Sequence, residues 1–235
     1  MSTPMDDLVK SVTDLIKKLE DAIARLSSVI NATLAKVPDL LGWIADKVID
    51  GWNALMAKLQ EFWDMIAEFF SYVGDPIGLS NAAKTWREDI GGRASNLSRE
   101  IDDSDLAVDD TWLGRAADQY RQGVPSQREA LSSLDADFAS NVADALEGLR
   151  IGIFVFWGAV AGAIIAIVAG FALATGEAVT VFGIPLAPPT ALAGLAVGAG
   201  AVGIAVMILY NAGSSSSNKL ASTSSGVRTW PRLAI

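Results

Sequence analysis

The chain of 235 residues is acidic, with a formal charge of −9, yet 51% of its residues are hydrophobic. It contains no cysteine and no histidine, which excludes a thiol nucleophile, a disulfide, a thiolate metal site and the usual acid–base side chain at neutral pH. We therefore expect no enzyme, no cofactor and no metal site. Residues 1–150 carry 15 Lys and Arg against 26 Asp and Glu, so this part is expected to repel nucleic acid and anionic lipid headgroups.

The first 75 residues predict two long amphipathic helices. Pro4 at a first helical position, followed by two acids, is typical of a helix start. Apolar residues then recur at intervals of three and four to about residue 36, and a second pattern of this kind covers 41–73. Because Pro38 separates them, we interpret 1–75 as a long antiparallel helix pair. Its apolar faces are wider than one partner helix can cover, so we expect a further element to bury them.

Two shorter amphipathic helices are predicted over 76–150, and Ser80 is placed to cap the first of them. The segment between these helices, 102–110, is rich in aspartate. Carboxylates are ligands that Ca²⁺ prefers, but their spacing does not give the twelve-residue calcium loop with its terminal glutamate. We interpret this segment as an acidic linker.

The stretch 151–213 contains a single charged residue, Glu177. Its two apolar runs, 151–175 and 191–210, each reach the roughly 20 residues that a bilayer-spanning helix needs. Glycines and prolines between the runs break helices, so we interpret 151–213 as a hydrophobic helical hairpin with Glu177 at its tip. A buried core of an all-α protein is the alternative interpretation, because periodicity does not separate a fully buried helix from a membrane helix.

Small residues recur four apart within this hairpin, which lets helices approach closely in lipid. They favour arms that pack on each other or on copies of the chain in an oligomer. The hairpin residues that we expect to carry membrane insertion are Phe154, Trp157, Gly158, Gly162, Gly170, Glu177, Gly194 and Gly198. The serine-rich remainder, 214–235, is predicted to be a flexible polar tail.

The residues Trp112, Leu113 and Gly114 lie between two predicted amphipathic helices and are followed by a pair of alanines and Tyr120. This arrangement, over about 79–149, resembles the Trp-x-Gly (WXG) helical-hairpin family of type VII (ESX) secretion substrates. The resemblance implies that Trp112 and Gly114 form the turn between two antiparallel helices. It also implies export by a type VII system.

The chain departs from that family in its export signal, which places an acid four residues after a tyrosine. The residues four positions after the three tyrosines are Pro76, Val124 and Ser214. If this route exports the chain, a helical-hairpin partner protein must supply the signal; otherwise the resemblance is architectural.

The whole layout, an all-α bundle followed by an uncharged hairpin, resembles pore-forming toxins of the colicin and long-helix kinds. It implies a non-enzymatic effector that inserts into or permeabilises a lipid bilayer through 151–213, as a homo-oligomer or with a partner. The acidic N-terminus does not have the pattern of a cleavable signal peptide, so we expect secretion without one, membrane association, or both. The alternative is a resident membrane protein whose region 1–149 recruits partners. The charges flanking the hairpin are compatible with insertion from either side.

Overall fold

The computed structural model describes residues 4–38, 41–71, 74–101 and 112–226. Across these ranges the secondary structure is helical and contains no strand, which confirms the all-α prediction. The helices are α1 (Pro4–Leu34), α2 (Gly42–Ser71), α3 (Pro76–Thr85), α4 (Gly92–Glu100), α5 (Arg115–Ser133), α6 (Ser140–Glu177) and α7 (Ala187–Gly226). Two π-helical segments, Trp86–Gly91 and Leu134–Ala139, link α3 to α4 and α5 to α6, and a 3₁₀ turn, Ile184–Leu186, precedes α7.

The chain divides into two compact units. The first consists of Met1–Gly74 and Ile153–Leu209, so it combines α1 and α2 with most of the hydrophobic hairpin. The second consists of Asp75–Gly152 and Tyr210–Ile235. Each unit therefore combines two segments that are separate in the sequence.

The core of the first unit follows the amphipathic pattern of its two long helices. In α1 the buried apolar residues at seven-residue intervals are Met5, Val12, Leu19 and Leu26. In α2 the buried apolar residues are Ile44, Val48, Leu55, Leu59, Phe62 and Ile66. Both sets repeat at helical spacing, so each helix buries one stripe and leaves its charged side chains in water.

The second unit is built around a close approach of the two π-helical segments. Trp86 packs edge-on against Phe138, with their ring centroids 5.6 Å apart. A Cβ added to Gly91 would lie 2.5 Å from Oδ1 of Asp135 and 3.1 Å from Cβ of Ala139, so the two segments approach closely at this glycine. Further along, the hydroxyl of Ser98 donates to the carbonyl of Arg128 over 3.1 Å.

The capping of α3 differs from the prediction. Ser80 lies inside the helix, and the N-cap is Asp75, whose Oδ1 accepts a 2.8 Å hydrogen bond from the backbone N–H of Gly78. Pro76 occupies the first helical position, where its missing N–H costs no hydrogen bond. The helix therefore begins four residues before the serine that the sequence suggested.

The prediction of a flexible tail from residue 214 is wrong over 214–226, where α7 continues as a helix to Gly226. Serine has a modest helix propensity, but these residues extend an existing helix and so avoid the cost of nucleation. They also have partners, since the buried hydroxyl of Ser216 donates to the carbonyl of Ala145 over 2.7 Å. Residues 227–235 lie outside the described ranges.

Candidate functional site

The tip of the hydrophobic hairpin is a short turn between α6 and α7. The backbone N–H of Gly183 donates to the hydroxyl of Thr180 over 3.0 Å, and the N–H of Ile184 donates to the carbonyl of Thr180 over 2.9 Å. A Cβ on Gly183 would collide with the carbonyl of Glu177, so the turn requires glycine there. Ile184 is completely buried in the core of the first unit, which fixes the turn in place.

Three of the predicted glycines form the contact between the two arms. A Cβ on Gly170 would lie 2.8 Å from the Cα of Gly194. A Cβ on Gly198 would lie 2.7 Å from Cγ1 of Ile167 and 2.9 Å from the carbonyl oxygen of Ala163. Because backbone atoms occupy that space, a side chain at these positions would push the arms apart. Gly158 and Gly162 take no part in this contact, since a Cβ on either would meet nothing within 4 Å.

One face of the hairpin packs against α1 and α2. The ring of Phe156 lies 4.7 Å from that of Phe69 in α2, and a Cβ on Gly51 of α2 would lie 3.0 Å from Cβ of Pro188. In α1 the buried hydroxyl of Thr33 donates to the carbonyl of Ala178 over 2.7 Å. Several large hairpin side chains are at most 2% exposed. They are Phe156, Trp157, Ile164, Ile167, Phe171 and Ile184. Phe154, predicted beside them, is half-buried.

The opposite face of the hairpin is apolar and uncovered. Its exposed large side chains are Val155, Ile165, Leu173, Val179, Phe182, Leu186, Val197, Ile204, Met207 and Ile208. Phe182 at the tip is 84% exposed and Leu173 is 66% exposed. Exposed apolar side chains in this number on one pair of helices are typical of a membrane or protein contact. This face is thus the candidate functional surface of the protein, and we call it the outer face of the hairpin.

Both arms belong to helices that are long and apolar enough to cross a membrane. The most apolar stretch of the first helix is only 39% buried and that of the second only 22% buried. A core helix of a soluble protein is mostly covered by its neighbours. The low coverage favours a surface that another apolar medium or molecule completes.

Glu177 is the single charged residue of the hairpin and lies at the C-terminal end of α6. Among the described residues, no hydrogen-bond partner reaches its buried Oε2 atom. A buried carboxylate oxygen without a partner raises the free energy of the folded state.

The predicted Trp-x-Gly turn lies at the start of α5. Gly114 has a φ of 109°, which a residue with a side chain rarely adopts, and it directly precedes Arg115. Trp112 is 43% exposed, and its ring lies 5.8 Å from that of Tyr120. Gly114 thus fits a tight entry into the helix. Residues 102–111 lie outside the described ranges, so the connection from α4 does too.

Basic residues at the open end of the hairpin are engaged in ion pairs. Lys219 lies 2.8 Å from Asp144, and Arg87 lies 2.6 Å from the same carboxylate. Hydrogen bonds from Lys219 and then Arg87 lower the pKa of Asp144 below its ordinary value. Arg150 lowers the pKa of Glu147 in the same way, by a hydrogen bond. Lys219 and Arg87 thus share the carboxylate of Asp144, and Arg150 pairs with Glu147.

Within the part of the chain that the structure describes, no three metal-ligating side chains converge. The acidic segment 102–110 lies outside that part. The chain matches no protein family model, no curated protein and no solved structure.

Proposed function

We propose that this protein is a non-enzymatic effector that inserts the hairpin 151–213 into a lipid bilayer and permeabilises it. The observation that carries the proposal is the uncovered outer face, which is apolar along both arms and at the tip. Apart from Glu177, the hairpin has no charged group that lipid would have to accommodate. The helices that form it have the length and composition that crossing a membrane requires.

We infer that α1 and α2 form the predicted long antiparallel pair and act as a removable cover for the other face of the hairpin. Thr33 near the end of α1 contacts Ala178, and Gly51 in the first part of α2 contacts Pro188, so these two regions meet the tip. Phe69, near the end of α2, contacts Phe156 towards the open end. These contacts support helices α1 and α2 running in opposite directions along the hairpin.

The cover has to leave before the hairpin crosses a bilayer. The outward side of α1 carries charged residues throughout its length, such as Lys10, Lys17 and Glu20, all of which are exposed. A charged side chain at the bilayer centre costs about 2.5–3.5 kcal/mol even on insertion-based scales. The proposal is therefore a two-state mechanism, with a covered bundle in water and a separated hairpin in lipid.

The route to the membrane that we propose is type VII-like secretion together with a helical-hairpin partner protein. The positive φ of Gly114, the contact of Trp112 with Tyr120 and the contact of Trp86 with Phe138 support a Trp-x-Gly-type turn and helix pair. Replacing Trp112 and Gly114 together by alanine is expected to abolish export into the medium while intracellular protein remains. Equal export of this variant and the parent chain would remove the argument for this route.

Dye release from lipid vesicles tests the membrane activity. Purified full-length chain is expected to release an encapsulated dye, and Leu173→Glu on the outer face is expected to reduce the rate at least tenfold, because the charge must enter lipid. Leu113→Glu is the matched control, since Leu113 is 80% exposed but lies outside the hairpin. Absence of release across lipid compositions and pH values would contradict permeabilisation.

A resident membrane scaffold is the second candidate. It is favoured by the fact that α6 and α7 both continue past the hairpin into the second unit, as expected if the hairpin holds a folded region at a membrane. Fractionation of the producing cells distinguishes the two functions. Protein found only in the producer membrane, and never in the medium or on target cells, supports the scaffold.

A further inference from the structure

We propose that the groove between α1 and α6 binds one molecule of a single-chain anionic amphiphile, with a carboxylate head and an alkyl chain. The groove is a cavity of about 520 Å³ in the first unit. This volume falls within the range of roughly 300–1,000 Å³ that small-molecule sites occupy. The site belongs to the covered bundle in water, so it does not depend on insertion of the hairpin.

The α1 side of the groove supplies the charge. Lys18, Asp21 and Arg25 line it, and their spacing of three and four residues places them on one face of the helix. Within the described residues, neither Lys18 nor Arg25 has an ion pair or a side-chain hydrogen bond. The two cations lie about 10 Å apart along the helix, from a rise of about 1.5 Å per residue. With Asp21 between them they leave one net positive charge, which suits a monoanionic head.

The α6 side of the groove supplies the apolar surface. Val168 and Ala172 line it at a spacing of four residues, and Ala22 of α1 faces the same cavity. Thr175, the remaining lining residue of α6, uses its hydroxyl to donate to the carbonyl of Phe171 over 2.7 Å. The hydroxyl is thus occupied within its own helix. A ligand with a charged head and an apolar chain matches this division between the two walls.

The net positive charge of the groove lining differs in sign from that of the region as a whole. Residues 1–150 carry a net charge of −11, which opposes the approach of an anion from a distance. At physiological ionic strength that opposition is screened beyond about 8 Å, whereas contact with two unpaired cations is not. Binding is therefore expected to depend on Lys18 and Arg25 themselves rather than on the field of the whole protein.

Binding of dodecanoate to the purified full-length chain, measured by calorimetry below its micelle concentration, tests the proposal. The Lys18→Gln/Arg25→Gln variant is expected to bind at least tenfold more weakly. Lys10→Gln/Lys17→Gln is the matched control, because these exposed residues have the same seven-residue spacing but do not line the groove. The control is expected to change the affinity by less than twofold. Ala172→Trp, which fills the cavity, is expected to abolish binding while the helix content stays unchanged.

Two further probes separate this site from the outer face of the hairpin, which is apolar enough to take up any detergent. Acetate, which has the head alone, is expected not to bind measurably. Dodecyltrimethylammonium has the same chain with a cationic head. Its affinity is expected to be unchanged by the Lys18 and Arg25 substitutions. No binding of dodecanoate, or equal weakening by the two lysine-containing variant pairs, would overturn the proposal.

Discussion

The two arms of the hairpin approach each other closely at Gly170 and Gly194, where neither residue has a Cβ atom. A Cβ built on either glycine would lie only 2.8 Å from the Cα of the other. Glycine within a helix is unfavourable by about 0.5–1 kcal/mol relative to alanine, so these residues are retained at a cost to local helix stability. In return, the absence of a side chain lets the backbones of the two helices approach closely.

Gly194→Ala is expected to destabilise the bundle, because the added methyl group overlaps backbone atoms of α6 that cannot move independently. Overpacking of this kind costs about 1–3 kcal/mol. Gly162→Ala is the control, since a Cβ there meets nothing within 4 Å, and it is expected to be neutral or slightly stabilising. Urea unfolding measures both, and equal stabilities would contradict the observed contact.

Glu177→Gln is expected to accelerate membrane permeabilisation. The substitution keeps the shape of the side chain but removes the charge that the tip carries into lipid. The rate of vesicle dye release measures the effect, with Glu129→Gln on the exposed surface of α5 as control. A slower rate for the Glu177 variant would show that the charge assists insertion rather than opposing it.

Asp144 gives a pH dependence with a defined sign. Its pKa is lower in the folded protein than its ordinary value of 3.8, so its contribution to stability is complete above that value and is lost as the pH falls through the folded pKa. Asp144→Asn is therefore expected to reduce stability at pH 7 by under about 1 kcal/mol, since the group is half exposed and screened. Thermal unfolding at pH 7 and at strongly acidic pH checks this, and a difference that persists in acid contradicts it.

At the scale of elements, the sequence predicted some helices and their buried faces well. The seven-residue pattern of α1 predicts the burial of Val12, Leu19 and Leu26, because an amphipathic helix has only one face to bury. It does not predict which face of α6 is covered, since both faces are apolar and offer no contrast. It also does not predict the helix beyond Ser214, where stability comes from Ser216 and Lys219 bonding to α6 rather than from local propensity.

The contact of α2 with the hairpin tip allows the cover to be locked. The chain has no cysteine, so Gly51→Cys/Pro188→Cys introduces a single pair whose Cβ atoms start 3.0 Å apart and reach disulfide geometry by a small shift. The oxidised variant is expected to release dye at least tenfold more slowly than its reduced form. The single variants serve as controls, and undiminished release by the oxidised pair would show that the cover need not separate.

At the scale of the whole molecule, the central feature is an apolar hairpin with one face covered by amphipathic helices and the other left bare. A soluble bundle that covered all four sides would have no reason to expose Leu173, Phe182 and Ile204 together. The same hairpin without a cover would also expose Phe156, Trp157 and Phe171, which are buried in the bundle. The arrangement is consistent with a protein that is stored in water and acts in lipid.

Fluorescence of a single environment-sensitive probe tests this account most directly. A probe on Leu173→Cys is expected to shift to the blue when vesicles are added and to be quenched by a quencher carried on the lipid chains. A probe on Arg93→Cys in α4, an exposed position of the second unit, is expected to stay in water and remain unquenched. A Leu173 probe that remains in water with every lipid composition, or quenching that is equal at the two sites, would contradict insertion of the hairpin.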